Sequence, residues 1–233
     1  LGIDWSRPTI GLLTNVMWDA ELHYDARAFP SMIEWLTETI SYFSGRPDLQ
    51  LLVRIHPAEI RGTLPSRQPV MRELQKRFPQ TAKNIFIIPP EARVSTYSAM
   101  SRCNAIIIYA TKMGVEFSAL GNHIIVAGEA WVRNKGITRD TISREDYFTA
   151  LSQLPYISPP QPVVIDRAKK YAYHFFFRRM IPIEYFTPLK GNPPYGIALH
   201  HLDELRPGKS SGLDVICDGI LKERDFIYPA ERY

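Results

Sequence analysis

Residues 104–128 read NAIIIYATKMGVEFSALGNHIIVAG, two apolar runs flanking a stretch with quite different composition. The runs 104–110 and 123–128 are continuously apolar rather than alternating, so both predict strands buried on two faces of a sheet. Between them MGVEFSALG, 113–121, reads as a helix, and the three together form a β-α-β unit. Lys112, Gly114 and Glu116 therefore fall where a buried strand hands over to a helix.

The same pattern extends outward in both directions. TIGLLTN (9–15), LQLLVRIH (49–56) and NIFIIPP (84–90) are further buried-strand runs. PSMIEWLTETISYF (30–43), QPVMRELQKRF (68–78) and STYSAMSRC (95–103) fill the gaps as helices, the first with Ile33, Leu36, Ile40 and Phe43 at helical spacing. SREDYFTALSQLP (143–155) predicts a helix capped by Ser143 with Glu145 and Asp146 in its first turn. Alternating strands and helices predict the α/β class, a doubly wound parallel Rossmann-like sheet with right-handed crossovers over residues 1–155. The proline-rich PYISPPQP marks a joint, and residues 156–233 are expected to form a C-terminal helical and irregular extension. Its start, VIDRAKKYAYHFFFRRMIPIEYF (164–186), reads as an aromatic helix ending near Pro182; the rest, through GNPPYG and RPGKSSG, reads as extended.

The 233 residues, 45 % hydrophobic, are enough for one large domain with a real core. No apolar run approaches the roughly 20 residues of a membrane helix, and LGIDWSRPTI lacks a secretory pattern, so a cytoplasmic protein is expected, with peripheral association at the inner membrane face left open. The chain opens at Leu1 without an initiator methionine, so a segment of something longer is expected. Cys103 and Cys217 make neither a disulfide framework nor a zinc spacing and read as two reduced cysteines. The net charge of +4 suits an anionic ligand or surface, but no nucleic-acid-binding signature is present.

In an open parallel sheet ligands bind beyond the carboxyl ends of the strands, and the unusual residues of this chain sit there. At the fourth strand Thr111 is expected to cap the helix, whose free N–H groups would favour a phosphate that Lys112 could neutralise further. Glu116 is placed to accept from ribose hydroxyls, or only to complement the helix dipole; Gly114 serves the ligand or only close packing. His56 and Pro57 follow the second strand, with Arg54 on the same face by alternation, so that the imidazole faces the cleft or is a satisfied structural histidine. Pro89 and Pro90 offer a donor-poor wall with nearby carbonyls for a base, or simply end a strand.

RIHPAE, IIPP, ATKMGVEFSALG and HIIVAGEAWVRNKG, over about residues 8–155, together resemble the C-terminal half of a GT-B glycosyltransferase of the capsule polysaccharide biosynthesis family, which includes Kdo transferases. The resemblance implies donor-phosphate contacts from His56, Pro57, Thr111, Lys112 and Gly114, a ribose contact from Glu116, and a base framed by Ile88 and Pro89. Lys112 stands where the family carries a small hydroxyl residue. The resemblance further implies a nucleotide-sugar donor, with a CMP-sugar favoured, a saccharide acceptor, no metal and no other cofactor. The acceptor and catalytic base would come from an N-terminal domain or partner chain, so no catalytic residue is assigned here. Two other readings stay open: a sugar-nucleotide epimerase or glycerol-phosphate polymerase, and a noncatalytic scaffold docking through its aromatic tail.

Overall fold

The computed structural model describes residues 2–18, 27–61, 66–190 and 195–232. These fall into two compact units, Leu1–Lys169 and Lys170–Tyr233.

The first unit is built on a six-stranded parallel sheet in the order β3-β2-β1-β4-β5-β6. Its strands are β1 (Thr9–Leu13), β2 (Gln50–Arg54), β3 (Ile85–Ile88), β4 (Ala105–Ile108), β5 (His123–Val126) and the short β6 (Arg139–Asp140). The helices are α1 (Met32–Ser44), α2 (Ala58–Arg61), α3 (Val70–Arg77), α4 (Thr96–Met100), α5 (Met113–Ala119), α6 (Arg144–Ser152) and the start of α7 (Pro162–Tyr173). This is the expected doubly wound α/β arrangement. Side chains alternate across the sheet, so Ile10, Leu12, Leu51, Val53, Ile107 and Ile125 join the buried cluster that also holds Trp35, Leu36 and Ile40 of α1 and Tyr147 and Leu151 of α6.

Serine caps set the starts of three helices: Ser31, Ser95 and Ser143 each accept a main-chain N–H from the residue three further on. α1 and α6 are tied in the core by Tyr147, whose hydroxyl lies 2.9 Å from Trp35 Nε1 and 2.7 Å from Thr39 Oγ1. A buried hydroxyl and indole N–H satisfied in this way cost little, whereas each left alone would be destabilising. Asn84 closes the opposite end of the sheet, its Nδ2 donating to the carbonyls of Phe43, Arg46 and Leu49 at 2.8–3.0 Å.

In the second unit α7 runs into a π-helical turn, His174–Arg179, which ends before Pro182. An antiparallel hairpin follows, β7 (Phe186–Pro188) with β8 (Tyr195–Ile197); residues 191–194 of the GNPPYG stretch lie outside the described residues. The extended reading of the tail is corrected by α8 (Ser211–Lys222), a twelve-residue helix capped by Ser210. Leu213, Ile216 and Ile220 carry its helical spacing, but Gly212 and Gly219 lower its intrinsic propensity and mask the signal. No helix among the described residues is long and apolar enough to cross a membrane.

Candidate functional site

The strand register brings the carboxyl ends level. Leu13 pairs with both Arg54 and Ile108, Arg54 with Ile88, and Ile108 with Val126, so five strands finish on one line. The chain winds outward from β1 in one direction and from β4 in the other, which makes the β1/β4 boundary the topological switch point. Two side chains that the sequence reading passed over line this boundary. Asn15 Oδ1 accepts from Ala110 N–H across it at 3.2 Å, and Thr14 Oγ1 accepts from His56 N–H at 3.0 Å. Both are buried polar residues ending an otherwise apolar strand, and that contrast was the available signal.

These bonds fix the exits of β1, β2 and β4 relative to one another. His56 and Thr111 stand two strands apart, on the order of 10 Å across the strand ends. His56 is half-buried, and its Nδ1 accepts from Ala58 N–H at 3.1 Å. In the neutral ring this places the proton on Nε2, which is then a donor. Pro57 starts the turn into α2, its carbonyl accepting from Ile60 and Arg61.

At the β4 exit the expectation changes in detail. Helix α5 begins at Met113, with Lys112 rather than Thr111 in the cap position, although the Thr111 hydroxyl accepts from Met113 N–H at 3.3 Å. Gly114 N–H bonds Thr111 O and Val115 N–H bonds Lys112 O, so the N–H groups of Met113 through Val115 are engaged internally instead of being offered to a phosphate. A residue at 112 already in helical φ/ψ tightens this turn and closes those bonds. Lys112 itself is exposed. A Cβ at Gly114 would lie 2.5 Å from Ile108 Cδ1 and 3.3 Å from Val132 Cγ1, so the packing role of this glycine is real.

Glu116 is half-buried and accepts a short hydrogen bond from the Tyr97 hydroxyl of α4, whose ring also packs 5.7 Å from Phe117. The carboxylate raises the Tyr97 phenol to about 12. Tyr97, 51 % exposed, is a third residue near the site that the sequence did not mark, because its partner lies one crossover away.

At β3 and β2 the hydrogen-bond partners of Arg54 lie within the protein. Arg54 is only 4 % exposed, and it spends its guanidinium on the loop after β3: Pro89 O at 2.6 Å, Ala92 O and Thr96 Oγ1 at 3.4 Å. Desolvation lowers its pKa, and it faces protein carbonyls in place of an anion. The Pro89 carbonyl is correspondingly taken, and Ile88 is buried within the edge strand, so the wall at this end is the half-buried Pro89 ring. At β5, Glu129 pairs with Arg27 at 2.7 Å, while buried Arg133 holds Gly128 O and Thr141 O. Two small cavities, about 250 and 220 Å³, flank the His123–Tyr156 ring pair beside the amino end of β5, opposite the site just described.

Strand order and parallel register define a Rossmann-like doubly wound unit. No protein-family model and no curated protein matches the chain. Among solved structures it is similar to the Thermosulfurimonas dismutans KpsC beta Kdo 2,4 transferase, at 16 % identity and TM-score 0.43 over 72 % of this chain and 54 % of that one. It is also similar to the Neisseria meningitidis UDP-GlcNAc 2-epimerase bound to UDP-GlcNAc, at 15 % identity and TM-score 0.47 over 94 % and 46 %. A third is the glycotransferase of kitacinnamycin, at 13 % identity and TM-score 0.44 over 74 % and 41 %. The chain spans about half the length of these proteins. The fold assignment rests on strand order and register.

Proposed function

We propose that this chain is the donor-binding half of a GT-B-type glycosyltransferase of surface polysaccharide synthesis. The observation that supports the reading is the joining of the β1, β2 and β4 exits by Thr14 and Asn15, which ties the His56 turn and the segment leading into α5 to the same switch point, where open parallel sheets bind their ligands. His56 would donate to a donor phosphate through Nε2, and exposed Lys112 would neutralise it as a point charge. As the nucleotide departs these donors would stabilise its developing charge, with no reorganisation needed at that moment. Pro57 would shape the phosphate side, Thr111 and Gly114 would hold the tight turn, Glu116 would accept from ribose, and the Pro89 ring, with Ile88 buried behind it, would bound the base. The sugar would pass to an acceptor held by a second domain.

A CMP-sugar is the favoured donor, following the sequence resemblance. Calorimetric titration with CMP, CDP, UDP, GDP and their sugars tests the reading. Binding of a cytidine nucleotide that His56→Ala weakens is the expected outcome. Absence of heat with every nucleotide up to millimolar concentration, on folded protein, would sink the proposal.

A further inference from the structure

The aromatic run Tyr171–Phe177 is divided between two sides of its helix. Phe175 is buried and Tyr171 packs toward it, ring centroids 6.1 Å apart. Tyr173 and Phe177, the other pair four residues apart, stack on each other in the open at 5.4 Å and 25°. With Met180 they make an exposed apolar row, 39 %, 59 % and 45 % accessible. Such a row is costly to leave in water unless something covers it.

Charge identifies the cover. Residues 162–179 hold Arg167, Lys169, Lys170, Arg178 and Arg179 against Asp166, five cations to one anion, which equals the net charge of +4 of the whole chain. The other residues carry twenty-three charges of each sign and cancel. Arg178 is paired with Glu231 at 3.3 Å, whereas Arg179 is exposed beside the apolar row. Nucleic acid would require ring faces open for base stacking, but these rings face one another. An exposed apolar row with Arg179 beside it, on the segment that carries the chain's excess positive charge, suits a fluid, negatively charged interface.

We propose that this face seats on an anionic lipid surface, with Tyr173, Phe177 and Met180 at the boundary of headgroups and acyl chains and Arg179 against lipid phosphates. Co-sedimentation of the 233-residue chain with phosphatidylcholine vesicles, with and without phosphatidylglycerol, tests this. Binding is expected only to the phosphatidylglycerol vesicles, to weaken with added salt, and to fall at least about fivefold in Arg179→Glu, the weight of one surface charge or more. Phe177→Ser should fall similarly, with circular dichroism and nucleotide binding of both variants unchanged. Failure to bind phosphatidylglycerol vesicles at low salt would overturn the proposal, as would binding indifferent to both substitutions. So would a concentration-dependent dimer, by ultracentrifugation, that Phe177→Ser dissolves, because the row would then be covered by a second copy.

Discussion

His56 and Glu116 differ in what their removal exposes. His56→Ala deletes a half-buried side chain that accepts from the Ala58 N–H of its own turn, and Glu116→Ala leaves the half-exposed Tyr97 hydroxyl, which water can satisfy. Each variant is expected to keep its fold and to lose about 1.5–3 kcal/mol of nucleotide affinity, roughly ten- to a hundredfold. Calorimetry beside thermal melts reads both quantities, and an unfolded variant would show that the residue is structural. Glu59 is a different case: it is buried, and both carboxylate oxygens take the N–H of Val70 at 3.1 and 3.2 Å, supplying the cap that Pro69 cannot give α3. Desolvation raises its carboxyl above the ordinary 4.5, outweighing the Val70 bond. The folded chain thus holds this proton to higher pH than the unfolded chain. The associated stability is full below about pH 4.5 and is lost as pH rises through the folded value. Glu59→Gln retains an acceptor for Val70 without the charge. Its urea midpoint should decline less than the parent's between pH 4.5 and neutrality; parallel curves would remove Glu59 from the account.

At the scale of elements, helix starts were legible because a cap and the main-chain N–H it accepts from lie three residues apart, as at Ser143 and Asp146. Strand runs were legible too, each about two residues too long at its carboxyl end, where residues leave the ladder to form the site. α8 was not, because its glycines are there for contact. A Cβ at Gly212 would lie 1.7 Å from the carbonyl oxygen of Pro182, a main-chain atom that no rotamer change can move. Gly212→Ala is therefore expected to destabilise the packing of α8 by at least about 1–3 kcal/mol, the range for overpacking a tight contact. Hydrogen exchange should show α8 and the segment around Pro182 losing protection together, and unchanged protection would mean the contact yields easily.

For the whole molecule, one doubly wound sheet is described, and on the proposed reading it would supply one wall of a cleft. Transfer needs the acceptor hydroxyl held within about 3–3.5 Å of the anomeric carbon, which takes a second wall. The 233-residue chain alone is expected to bind nucleotide and to transfer no sugar in a radiolabel assay. Turnover by the purified monomer would show that these residues build both walls. By itself the sequence determined the alternation of strands and helices, the class of sheet, the Ser143 cap and the placing of His56, Thr111, Lys112 and Glu116 beyond strand ends. Those features depend on neighbours within a turn or two, where periodicity and capping act. Only the tertiary structure decided that β1 lies between β2 and β4, that Asn15 holds Ala110 ninety-five residues away, that Arg54 turns to the Pro89 loop, and that Tyr97 meets Glu116. The physical reason is that a buried donor or acceptor must be satisfied by whatever the packed chain brings near, and the order of strands in the sheet, not the order along the chain, fixes what that is.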